Sequence, residues 1–133
     1  MEEMAEKRVW QRVRGEPELV GRLRSLLEEQ GRLWGVYRTL GRRGGKYRLL
    51  LEQKENQIAC LRGMLRVLTG QGAAHPRWGG GAPDLQSCFE AEQRLLEELT
   101  RCSREPELGP VLGAMAEGQK RHLRILLEVI GTM

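Results

Sequence analysis

Four stretches of this chain set apolar side chains three and four residues apart, and each breaks its own pattern with a polar residue. The first runs Leu19, Leu23, Leu26, Leu33, Tyr37, Leu40, with Gln30 in the gap. The second runs Tyr47, Leu50, Gln57, Leu61, Met64, Leu68, widened by Leu51, Ile58 and Leu65. Leu85, Cys88, Glu92, Leu95, Leu99, Cys102 and then Leu112, Met115, Gln119, His122, Leu126, Val129 complete the set. That spacing is the core-facing stripe of an amphipathic helix. Composition agrees: Leu occurs 21 times, Val and Ile together ten and Thr four, whereas a sheet wants β-branched and aromatic residues. The expectation is all-α.

Punctuation divides the helices into two pairs. Gly41, Gly44 and Gly45 separate the first two helices, and Ser103 to Pro106 the last two. Breaks this short predict antiparallel hairpins over 17–69 and 84–131. Pro17 and Pro106 each lie in a Glu-Pro-Glu triplet, which predicts proline in the first helical turn with carboxylates at the positive end of the helix dipole. Asp84 is placed as an N-cap. Residues 70–83, rich in Gly, Ala and Pro, form a linker whose extended reach is about 46 Å, enough to span a 26-residue helix of about 39 Å. It can therefore cross the full bundle. Residues 1–15 read as an N-terminal extension with a short helix carrying Val9, Trp10 and Val13, and 16–133 as the bundle domain.

Charge and cysteines narrow the function classes. The formal charge is +4, from 22 basic and 18 acidic residues of mixed order, with 18 of the basics Arg. A nucleic-acid binder gathers its basic residues into a stripe with interleaved aromatics, so a basic helical adaptor is a minor alternative. No apolar run reaches the ~20 residues of a membrane span, and the charged start lacks a signal-peptide core, so a cytoplasmic chain is expected. Cys60, Cys88 and Cys102 form no CxxC and leave one unpaired in any scheme, which reads as reduced thiols. His75, in the linker, is read as a solvated histidine, and Trp34, one position off its stripe, as a flank of the core or a patch for a second subunit.

The two hairpins repeat at an offset of 62 residues. Glu55, Gln57, Leu61, Arg62, Leu65 and Val67 match Glu117, Gln119, Leu123, Arg124, Leu127 and Val129. The polar interruptions also agree in height: Gln30 and Gln57 lie about 16 and 18 Å from the first turn, Glu92 and Gln119 about 16 and 20 Å from the second. A buried polar group without a partner costs ~1–3 kcal/mol, so four coincident interruptions predict one polar layer inside the bundle.

A hairpin with one polar residue on its first helix and an i, i+3 pair on its second, occurring twice, resembles the ferritin-like superfamily, in particular rubrerythrin-like proteins. That resemblance, over roughly residues 17–131, implies a four-helix bundle of two antiparallel hairpins joined by a long crossover. It also implies a di-iron or di-manganese centre held by Glu on helices one and three and Glu-x-x-His on helices two and four. Carried onto this chain, those positions are Gln30, Glu92, Gln57 with Cys60, and Gln119 with His122. One carboxylate and one imidazole survive, and neutral amides cannot offset the charge of two irons.

The expected function is therefore a non-catalytic structural or interaction module, with an unknown protein partner or a second copy, no membrane and no cofactor. The alternative is a metal-binding or redox-related rubrerythrin-like protein with a single divalent ion on Glu92, His122 and Cys60, an oxygen, nitrogen and sulfur set that Zn²⁺ accepts. Without metal, the layer is expected to be a hydrogen-bonded cluster of glutamines around a Glu92–His122 pair, with Glu55 and Glu117 left at the surface.

Overall fold

The computed structural model describes residues 17–41, 44–76 and 84–132. Four helices fill them: α1 Pro17–Gly41, α2 Lys46–Thr69, α3 Leu85–Cys102 and α4 Gly109–Gly131. There is no strand among the described residues, and no helix is long and apolar enough to cross a membrane. The helix proposed within 3–14 lies outside them.

Each helix buries the stripe its spacing specifies. Leu23, Tyr37, Leu50, Leu61, Leu65, Leu99, Leu112 and Leu126 have no exposed surface, and the core is continuous from α1 to α4. Leucine-rich stripes suit this, because each γ-branched side chain keeps helical rotamers while filling the interhelical space. The ends follow local chemistry. Asp84 accepts hydrogen bonds from the backbone N–H groups of Gln86 and Ser87 (3.1 and 3.4 Å), as an N-cap should. Gly70 closes α2 at φ 74°, its N–H returning to Arg66 O, a left-handed cap that other L residues resist.

One boundary differs from expectation. Pro106 does not open α4; residues 103–108 form turns, α4 begins at Gly109, and Pro110 is the proline of its first turn. The cause is Leu108, which is 1% exposed and anchors the turn into the core. Gly109 then donates to Glu105 O at 2.7 Å, and a Cβ on it would stand 2.6 Å from the carbonyl oxygen of Ser103.

Helix directions follow from which residues meet. Lys46 pairs with Glu128 at 2.7 Å while Gln57 reaches Met115 O at 3.2 Å, so α2 and α4 run antiparallel. Glu18 and Arg22 share a groove with Arg101 and Glu105, whereas Arg32 and Val36 share one with Asp84 and Ser87, so α1 and α3 are antiparallel too. It follows that α2 and α3 are parallel, and the 70–83 segment joins opposite ends of the bundle. Backbones approach closely in the pairs α1/α2, α3/α4, α2/α4 and α1/α3 and, among the described residues, not along the diagonals.

The described part of the crossover turns back along the first hairpin. Arg62 Nε donates to Ala73 O at 2.8 Å, and His75 then sits against Glu55, about 20 Å back from the end of α2. His75 is therefore not a solvated histidine. Its ring stacks edge-on against Trp34 at 4.9 Å, its Nε2 is 3.3 Å from Glu55 Oε2, and its side chain is 16% exposed. Trp34, 7% exposed, is no surface patch; its indole N–H donates to Glu55 and Arg38 lies over its ring at 5.4 Å. Glu55 remains exposed, but it serves as a shared acceptor that ties the crossover to both helices.

Candidate functional site: a buried ion pair inside the bundle

Five of the six residues expected in the polar layer are buried there. Gln30, Glu92 and Gln119 have no exposed surface, His122 is 1% exposed and Gln57 3%. The sixth, Cys60, is exposed and lies outside the layer, which removes it from any set with Glu92 and His122. At 100° per residue, the buried residues of α2 centre about 100° away from Cys60.

The same rotation shows where the internal repeat stops being structural. Relative to its matched glutamine, the buried face of α2 is rolled about 60° from that of α4. Ile58 is buried where its counterpart Lys120 is exposed, and Val129 is buried where Val67 is exposed. The roll that turns Cys60 outward brings Lys54 inward.

Lys54 is fully buried and completes the layer. Its Nζ stands 2.5 Å from Glu92 Oε1 and 3.5 Å from Gln119 Oε1. Glu92 is the hub. Oε1 also accepts from Gln119 Nε2 at 3.0 Å, and Oε2 accepts from the Tyr37 hydroxyl at 3.1 Å and lies against His122 Nε2. Gln119 Nε2 bonds the backbone carbonyl of Glu92 at 2.8 Å, fixing α4 on α3. Beside this hub, Gln30 donates to Gln57 Oε1, and Gln57 Nε2 donates to Met115 O. Gln30 Oε1 and His122 Nδ1 find no hydrogen-bond partner among the described residues.

The ion pair joins helices that the backbone packing leaves apart. Lys54 on α2 and Glu92 on α3 face each other across one diagonal, and the rings of Tyr37 on α1 and His122 on α4, 5.6 Å apart, span the other. Electrostatics follow from burial. Desolvation alone raises the Glu92 carboxyl, but the adjacent Lys54 ammonium, with the close contacts of Lys54 and His122, outweighs it and holds the group well below 4.5. Burial lowers both Lys54 and His122, in each case against the opposing pull of Glu92. His122 falls below 6.5 and is a neutral imidazole at pH 7. Tyr37 is pushed well above 10 by burial and by the adjacent carboxylate, so it stays a protonated phenol that donates to Glu92.

Sequence reasoning missed Lys54 and the polar role of Tyr37. The signal for Lys54 was present: 47, 50, 54, 57, 61, 64, 68 is an unbroken three-four series only if position 54 is counted. Residue type hides it, because isolated lysines belong to solvent far more often than to cores.

The di-metal centre implied by the ferritin-like resemblance does not fit these residues. Three of its six ligand positions carry amides, Cys60 faces out, and an ammonium group stands on the one remaining carboxylate. Among the described residues no group of three or more His, Cys, Asp or Glu side chains is gathered to hold a metal ion. A groove of about 290 Å³ between α2 and α4 reaches Gln57 past Cys60, Met115 and Gly118, but Lys54, Glu92 and His122 do not line it. The sequence matches no family model, and comparison with curated proteins and with solved structures finds no match for it.

Proposed function

We propose that this chain is a ferritin-like, rubrerythrin-related bundle that has given up the family's metal chemistry and acts as a non-catalytic structural or interaction module. The observation that carries the reading is the Lys54–Glu92 ion pair, 2.5 Å long and sealed from solvent. The group best suited to bind a metal is already neutralised, and the groove between α2 and α4 that reaches Gln57 is not lined by it. A core of this kind supports helix register, since every helix contributes a hydrogen-bonding side chain at one level. What remains for contact with other molecules is the surface, where among the described residues Leu49 (48%), Val111 (45%) and Leu127 (51%) are the large apolar side chains most open to solvent.

The test is chemical. Purified protein incubated aerobically with Fe²⁺, and separately with hydrogen peroxide, is expected to consume neither faster than buffer. Turnover that disappears in Glu92→Gln would overturn the reading and favour the metal-binding alternative on Glu92 and His122.

A further inference from the structure

Resting on that reading, we infer that Lys54 is the resident cation of the polar layer. Its ammonium group takes the place a divalent ion would need beside Glu92 and His122 and keeps metals from that pair. Around Nζ stand a carboxylate oxygen at 2.5 Å and an amide oxygen at 3.5 Å, from Glu92 and Gln119. The other oxygen of the same carboxylate meets a neutral imidazole and a phenol, from His122 and Tyr37. The carboxylate and imidazole are ordinary ligands of Zn²⁺ or Mn²⁺, and with the phenol and amide beside them they gather oxygen and nitrogen atoms from α1, α3 and α4 at one point. All four side chains are almost entirely buried.

Two charges cannot share the space. A divalent ion on Glu92 would stand within a few ångströms of the ammonium, a repulsion that the dry interior screens poorly. Lys54 cannot swing away, because its side chain is fully enclosed and its stem is packed within α2's buried face. The lysine also supplies what a metal otherwise would: a positive charge, tethered to one helix, that neutralises a carboxylate on the diagonally opposite one. The layer is thereby made independent of metal supply, and its ordered form is the metal-free form.

The experiment is equilibrium dialysis of the wild-type chain, Lys54→Ala and Lys54→Ala/His122→Ala against Zn²⁺ and against Mn²⁺, with bound metal counted per chain. Wild type is expected to retain no stoichiometric ion. Lys54→Ala, folded by circular dichroism, is expected to bind one ion at least about tenfold tighter, and the double variant to lose that gain. A wild-type chain that binds one ion, lost on Glu92→Gln, overturns the inference. So does a folded Lys54→Ala that binds no tighter than wild type, and this second result leaves the non-catalytic reading standing. Should Lys54→Ala not fold, the ¹⁵N signal of the wild-type ammonium decides. Protection from solvent exchange that persists in excess Zn²⁺ supports the inference, and displacement by Zn²⁺ defeats it.

Discussion

Lys54 Nζ lies 2.5 Å from Glu92 Oε1, on helices that do not otherwise pack together, and neither side chain exposes any surface. Breaking such a pair from one side leaves the other charge buried and unpaired, at a cost of ~3–5 kcal/mol. Glu92→Leu and Lys54→Met are therefore each expected to be severely destabilising. Replaced together they remove both charges, and the double variant should lie within about 1 kcal/mol of wild type or above it. Urea unfolding of the four proteins measures the coupling directly.

Acid should weaken the fold in two steps. His122 is lowered from 6.5, so below 6.5 the unfolded chain takes up a proton that the folded chain refuses, and stability falls as pH falls. Glu92 is held well below 4.5, so its contribution is complete above 4.5 and is lost as pH drops from there through the folded value. Urea midpoints recorded above 6.5, between 6.5 and 4.5, and below 4.5 should descend in that order. His122→Gln should abolish the first step and keep the second.

Tyr37→Phe removes one hydrogen bond to a buried carboxylate and little volume. A loss of about 1.5–3 kcal/mol is expected, the range for bonds to charged groups. A change below about 0.5 kcal/mol would mean the hydroxyl does not bond Glu92 in solution.

Gly31 lies beneath the crossover, and a Cβ there would come within 2.5 Å of the Pro76 carbonyl oxygen. Alanine at this position raises helix propensity, yet overpacking costs ~1–3 kcal/mol and should dominate. Gly31→Ala is expected to lower Tm and to speed proteolysis within 70–83. Gly63→Ala, where the Cβ meets nothing within 4 Å, should instead be neutral or stabilising.

Thiol reactivity should separate the cysteines. Cys60 is exposed, while Cys88 and Cys102 are 4% and 3% exposed, and burial with nearby carboxylates pushes Cys88 up to about 11. A disulfide reagent should titrate one thiol in the native chain and three after denaturation. Rapid modification of two or more native thiols would place the α3 face differently.

The apolar spacing was enough to read the four helices, because burial of one face per helix is a local pattern written every three or four residues. Asp84 and the glycine break at 41–45 were legible for the same reason: caps and turns are chosen by the residues that form them. Pro106 misled, since Leu108 found a buried place that a local rule does not see. The glutamines were legible as a layer because rise per residue fixes height on a helix.

Rotation about the helix axis was not legible at that precision. A matched repeat suggested that Gln57 and Gln119, Cys60 and His122 would face inward alike. The packing rolled α2 by about 60° relative to α4, sending a thiol out and an amine in. The sequence alone thus determined which segments are helical, how they pair in hairpins and at what level their polar residues lie. Only tertiary packing decided that a lysine, rather than a cysteine, meets Glu92, because the angle at which a helix settles depends on side chains of three other helices at once.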